Sequence, residues 1–159
     1  MKTFARVLSI LFYAIEGICA FAILVGMTFR SMKLAGATEL LMVGLFSITC
    51  LYFLIAITPF YMKYVSTDTV FNEKLILFFR RLLYVVLSMF SITILFISNN
   101  LMGKEQIVGV VLPIVIVFTI LAVVLIIVKR ARQLILGGAL IRIGICYALY
   151  FIFTLSAAN

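Results

Sequence analysis

Long apolar runs separated by short polar breaks make up almost the whole chain. Residues 7–29 are apolar except for Glu16, and residues 40–62 carry no charge. A polar interruption at 63–81 is the longest in the chain. After it come apolar runs at 82–102, 106–128 and 134–155, the last containing Arg142. Apolar and polar residues do not alternate within the runs, which excludes the strands of a barrel, and each run is near the ~20 residues a helix needs to cross a bilayer. A helix also satisfies its own backbone in hydrocarbon. The pattern therefore predicts an all-α, polytopic transmembrane bundle of four spans, the first containing Glu16, plus a fifth candidate containing Arg142. Glu16 in the middle of the first run, a length near the ~20 residues needed to span, and no convincing small-x-small cleavage site make that run an expected retained helix rather than a signal peptide.

The connector 63–81 is expected at the membrane surface. Within it, residues 70–81 place aromatic and aliphatic bulk beside Arg80 and Arg81, the composition of an interfacial helix lying ahead of the third span. The other polar breaks, at 30–39 and 103–105, are hairpin turns. With the amino terminus in the cytoplasm, Lys2, Arg6, Lys63, Lys74, Arg80, Arg81, Lys129, Arg130 and Arg132 fall inside, against Arg30, Lys33 and Lys104 outside. The positive-inside rule favours that orientation and puts the carboxyl terminus outside. Each basic residue near an anionic leaflet contributes about 1 kcal/mol. Lys63, Lys74, Arg80, Arg81, Lys129, Arg130 and Arg132 are thus expected to meet anionic lipid headgroups, or to dock a cytoplasmic protein.

The two hairpins resemble each other. Displacing the chain by 67 positions aligns Phe29 with Phe96, Ser31 with Ser98, Leu34 with Leu101, Gly36 with Gly103, and Lys63 with Arg130. The Phe-x6-Gly spacing at both turns is the informative part, because apolar matches arise easily in such a chain. A duplication would give two parallel hairpin repeats followed by a fifth helix.

Composition narrows the class further. Of 159 residues, 67% are hydrophobic and 11% charged, where soluble domains are roughly half apolar and about a quarter charged. Residues 1–159 form a single membrane domain with no room for a separate soluble one. The net charge of +8 does not point to nucleic acid, because the basic residues sit in short loops and make no continuous solvated face. Cys19, Cys50 and Cys146 lie in apolar runs without paired spacing, and there is no His. No disulfide framework, metal site or cofactor is expected. Neither a zinc-protease helix, a nucleophile elbow nor a Walker loop occurs, and Glu39, Asp68, Glu73 and Glu105 lie in polar breaks near Lys or Arg. No catalytic residue is assigned and the chain is not expected to be an enzyme.

Glu16 and Arg142 are the two charges at membrane depth, where insertion costs about 2.5–3.5 kcal/mol each. Glu16 lies ten residues past Arg6 and Arg142 ten past Arg132, so each is roughly 15 Å beyond a cytoplasmic anchor on helices running the same way. They can meet. A structural ion pair is one expectation, and a neutral Glu16 with a snorkelling Arg142 is its variant. A proton or ion relay is the sharper one. Near Arg142, Gly144 and Ala148 form a small-xxx-small pair with Gly137 on the same face, a pattern for close helix packing, either inside the bundle or against a second copy or another membrane protein.

Phe71-Asn72-Glu73 followed by Phe79-Arg80-Arg81-Leu82 resembles a family of small uncharacterised bacterial four-helix membrane proteins, in which Phe-Ser-x leads into Leu-Arg-Arg-Ile at the third span. Where that family has a short acidic tail, this chain has its fifth apolar segment. The likeness implies the bacterial inner membrane and an association with small regulators. Phe29-Arg30-Ser31-Met32-Lys33-Leu34-Ala35-Gly36-Ala37 and Leu40-Leu41-Met42-Val43-Gly44-Leu45 are similar to the hairpin turn of the proton-channel subunit of the Bacteroidetes gliding and type IX secretion motor. The acidic residue of that family's second helix has no counterpart near Ser47 and Ile48, so its proton-conducting role does not carry over. The expected function is a non-catalytic accessory or regulatory membrane subunit. The alternative is a small transporter or ion-coupled component using Glu16 and Arg142.

Overall fold

A computed structural model describes residues 2–58, 70–128 and 133–158, with side chains over 7, 10–58, 78–127 and 138–155. Five helices account for them: α1 Lys2–Ser31, α2 Ala37–Ile57, α3 Val70–Ser98, α4 Lys104–Val128 and α5 Gln133–Ala158. Each contains a stretch long and apolar enough to cross a membrane, namely Ile10–Ser31, Ala37–Ile57, Phe78–Ser98, Lys104–Ile127 and Gly138–Leu155. There is no strand among the described residues. The molecule is an all-α membrane protein.

Three boundaries around the connector and the second turn differ from the sequence pattern. α2 ends at Ile57 rather than 62, because Thr58 precedes Pro59 and turns to extended backbone with φ −71° and ψ 121°, the conformation a following proline favours. The expected interfacial helix over 70–81 is not a separate element. It forms the first turns of α3, which runs unbroken because no Gly or Pro interrupts it, and α3 then ends at Ser98 rather than 102.

The ends of α1 and α3 are built alike. At the first, the Leu34 N–H donates to Phe29 O at 2.9 Å and the Lys33 N–H to Arg30 O at 3.1 Å. At the second, Leu101 donates to Phe96 O at 3.0 Å and Asn100 to Ile97 O at 3.2 Å. This is the Schellman closure, with its left-handed residue after the cap: φ is 54° at Lys33 and 51° at Asn100, and a second positive φ follows at Gly36 and Gly103, 87° and 83°. Ser31 and Ser98 donate back to Thr28 O and Leu95 O in the same way. Every one of these partners is displaced by 67 positions, as are the first residues of α2 and α4. The backbone equivalence of the two hairpin turns thus extends well beyond the Phe-x6-Gly spacing.

Helix packing breaks the equivalence. α1 and α2 share a longer contact than α3 and α4, and glycine is the reason. A Cβ at Gly44 would stand 2.8 Å from Ile23 Cγ1 and 3.3 Å from Cys19 O, and one at Gly26 would stand 2.9 Å from Leu41 Cγ and 3.1 Å from its backbone nitrogen. The positions 67 further on hold Val111 and Thr93, whose side chains fill the space that glycine leaves to the neighbouring helix. In lipid, where apolar surface gains nothing by leaving the solvent, such close van der Waals packing is a main source of helix association.

α3 is the central helix, packed against α2, α4 and α5, while α1 packs on α2. Leu83, Leu87, Phe90 and Ile94 of α3 are fully buried with Leu41 and Leu45 of α2 and Ile143 of α5. Phe90 meets the Tyr147 ring edge-on at 5.0 Å. The buried hydroxyls of Thr93 and Ser98 donate to carbonyls of their own helix, Met89 O and Leu95 O, which satisfies them without a second helix. Exposed apolar side chains such as Phe21 on α1 and Ile120 and Val124 on α4 face what would be lipid.

Gly44→Ala is expected to cost about 1–3 kcal/mol, the range for overpacking a close contact, whereas Gly17→Ala meets only open space and is expected to be neutral or stabilising. Thermal unfolding in mild detergent, followed by size-exclusion chromatography, checks this. Equal melting of the two variants would show that the α1–α2 contact is not glycine-dependent.

Candidate functional site

Helical spacing gathers the site on two facing stripes. Tyr13, Glu16, Gly17, Ala20 and Leu24 share one face of α1, and Arg142, Ile145, Cys146 and Leu149 share one face of α5, since residues three and four apart lie above one another. Between them Glu16 and Arg142 meet. Arg142 Nε donates to Glu16 Oε1 at 2.5 Å and Nη2 to Oε2 at 2.6 Å, a bidentate fork. The Tyr52 hydroxyl on α2 donates to Oε1 at 3.0 Å. Arg142 Nη1 donates to the Gly138 carbonyl one turn earlier at 3.0 Å, and the guanidinium lies over the Tyr13 ring, 5.7 Å from its centre. Gly138 leaves room for this arrangement, because a Cβ there would come within 3.2 Å of Nη1. The Arg142 and Glu16 side chains are 15% and 18% exposed, so the pair is mostly but not completely buried.

A cavity of about 490 Å³ adjoins the pair, lined by α1, α2, α3 and α5. Apart from the ion pair its walls are largely apolar, with Ile23, Leu45, Ile48 and Ile94 at the back. It opens sideways between α1 and α5, where the lining residues Tyr13, Leu24 and Ile145 are exposed. Beyond the cavity, toward the carboxyl ends of α1 and α5, Arg30 bridges the same two helices. It donates to the Ser98 carbonyl at the end of α3 and lies over the Phe153 ring of α5 at 5.7 Å. Two arginine contacts therefore frame a lateral window. On the floor, the buried hydroxyl of Ser91 lies beside the Cys146 thiol.

The pair is chemically saturated in one respect and open in another. Both Glu16 oxygens accept from Arg142, and Oε1 also accepts from Tyr52. Arg142 has five N–H donors, and three are engaged by Glu16 and Gly138. The remaining two are available to an oxygen arriving through the window.

The other residues singled out by sequence are dispersed. Gly144 and Ala148 are exposed, and a Cβ at Gly144 would meet nothing within 4 Å. They do not pack α5 into the bundle, because Ala139, Ile143, Cys146 and Phe153 are its buried face and the small-xxx-small pair points away from it. Gly137 is helical in α5, with its surroundings outside the described residues, as are Lys63, Lys129, Arg130 and Arg132 and the side chain of Lys74. Arg80 and Arg81 are half-buried near the start of the third span, and Arg80 lies over Tyr84 one turn on, at 5.8 Å. Cys19, Cys50 and Cys146 are free thiols, and no metal-binding cluster occurs among the described residues.

Sequence reasoning missed Tyr52, Tyr13, Gly138 and Arg30. Tyr52 had a usable signal: it lies as far after Leu34 in the first turn as Glu16 lies before it, eighteen residues each way, so antiparallel helices bring the two to one depth. Arg30 had none, because its role depends on how α1, α3 and α5 come together. Comparison with family models, curated proteins and solved structures finds no match.

Glu16→Leu and Arg142→Met are each expected to destabilise the fold by about 3 kcal/mol, since removing one partner strands a buried charge. The Glu16→Leu/Arg142→Met double variant is expected to lose less than either single. Heating in detergent with recovery of monodisperse protein measures all three, and a double variant as poor as the sum of the singles would contradict a coupled pair.

Proposed function

We propose that this chain is a non-catalytic accessory or regulatory subunit of the membrane that acts by contact and binding rather than by conducting ions or transforming a substrate. One observation carries the proposal: Glu16, the acidic residue in the interior of the spans, is held at both oxygens by Arg142. Ion coupling and proton relay need an intramembrane group that changes its occupancy, and a fork closed by Tyr52 and Gly138 is built to stay as it is. Apolar faces on α1 and α4 offer surface to lipid or to another membrane protein. The bacterial inner membrane with the amino terminus in the cytoplasm is the setting that goes with the basic residues near one end of the spans and with the likeness carried by residues 71–73 and 79–82. There the basic connectors hold anionic lipid or a cytoplasmic partner.

Affinity purification from native membranes in mild detergent is expected to bring down a stoichiometric partner, and reconstituted protein alone is expected to give no proton or solute flux. Flux that Glu16→Gln abolishes would replace this proposal with the transporter alternative.

A further inference from the structure

The lateral window carries an inference that does not depend on the accessory role. We propose that it binds one acyl chain of a membrane glycerolipid, with an ester or hydroxyl oxygen of that lipid accepting from Arg142 at the polar end.

The position comes first. The rim residues Gly17, Ala20 and Leu24 lie inside the span Ile10–Ser31, and Ile145 and Leu149 inside Gly138–Leu155, so the opening is bordered by hydrocarbon. A soluble ligand would have to cross lipid to reach it, whereas an acyl chain is already there. From Glu16 to Leu24 is eight residues, about 12 Å along the helix. That passage has an apolar lining and one polar end, the shape of a chain with a head. Its volume, about 490 Å³, is within the ~300–1,000 Å³ usual for ligand sites.

The polar end selects the head. Arg142 offers its two remaining donors, but Glu16 neutralises the guanidinium, so a phosphate or carboxylate placed there would face the Glu16 carboxylate at contact distance. An uncharged acceptor suffers no such repulsion. Depth agrees. Arg142 lies eight residues into the apolar run 134–155, about 12 Å, and its guanidinium reaches back one turn toward the start of that run, to the Gly138 carbonyl, which carries it toward the ester region bordering the hydrocarbon core. Gly17 supplies the passage itself, since a Cβ there would meet nothing within 4 Å.

Proteoliposomes containing a glycerophospholipid with a photoactivatable diazirine on one acyl chain test this, with the labelled residues read by mass spectrometry. Label is expected to concentrate on residues 17–24 and 145–149, above the level on the exposed α4 face at Val117, Ile120 and Val124, which reports ordinary surrounding lipid. Gly17→Leu fills the passage and is expected to lower window labelling about tenfold, the change that about 1.4 kcal/mol of affinity produces, with α4 labelling unchanged. Gly144→Leu, another glycine with open space around it but outside the window, is expected to change neither. Should Gly17→Leu fail to give monodisperse protein, Ala20→Phe obstructs the same passage. Window labelling no stronger than that of α4, or unmoved by the obstructing variant, would overturn the proposal, as would a window left unlabelled because a protein covers it.

Discussion

Two opposite charges placed in hydrocarbon must find each other, and the relation between α1 and α5 depends on that requirement. The two helices scarcely touch along their length, yet Glu16 and Arg142 join them with a two-pronged fork. Separated, each charge would cost several kcal/mol; joined, they leave a nearly neutral group that Tyr52 and Gly138 complete. Arg30 repeats the device at the opposite end by reaching from α1 to the α3 carboxyl terminus and the Phe153 ring. The carbonyl it holds belongs to the negative end of a helix dipole, a natural partner for a cation. Because α1 and α5 are tied at two depths and not between, the bundle keeps an opening where a closed core would otherwise form.

The remaining helices explain why that opening does not collapse. α3 supplies the floor with Ser91 and Ile94 and buries Leu87 and Phe90 in the core, and α2 is fixed against α1 through Gly26 and Gly44. α1 is thus committed to α2 and α5 is committed to α3, and neither can move toward the other without giving up close packing. The two hairpins start from turns with the same hydrogen bonds and the same positive-φ residues. What separates them is side-chain volume at a few contact positions, glycine in the first and valine or threonine in the second.

Chemically, the site is a neutral polar end on an apolar passage. Both carboxylate oxygens are held in the fork, and two of the guanidinium N–H groups are not engaged by Glu16 or Gly138. That combination suits recognition of an uncharged polar group on an apolar tail.

Much of this was legible in the chain itself. Runs of about 20 apolar residues cannot stay in water and must satisfy their backbones internally, so the five helices, the class and the hairpin turns followed from local pattern alone. The equal depth of Glu16 and Arg142 followed from the rise per residue. Other features required the packed molecule. The merging of 70–81 into α3 and the outward direction of Gly144 and Ala148 depend on which faces the neighbouring helices cover. Arg30 looked like a loop charge until α3 and α5 were placed beside it. The window has no sequence signature, because a cavity is space between helices, and sequence periodicity sets the face of one helix but not the distance to the next.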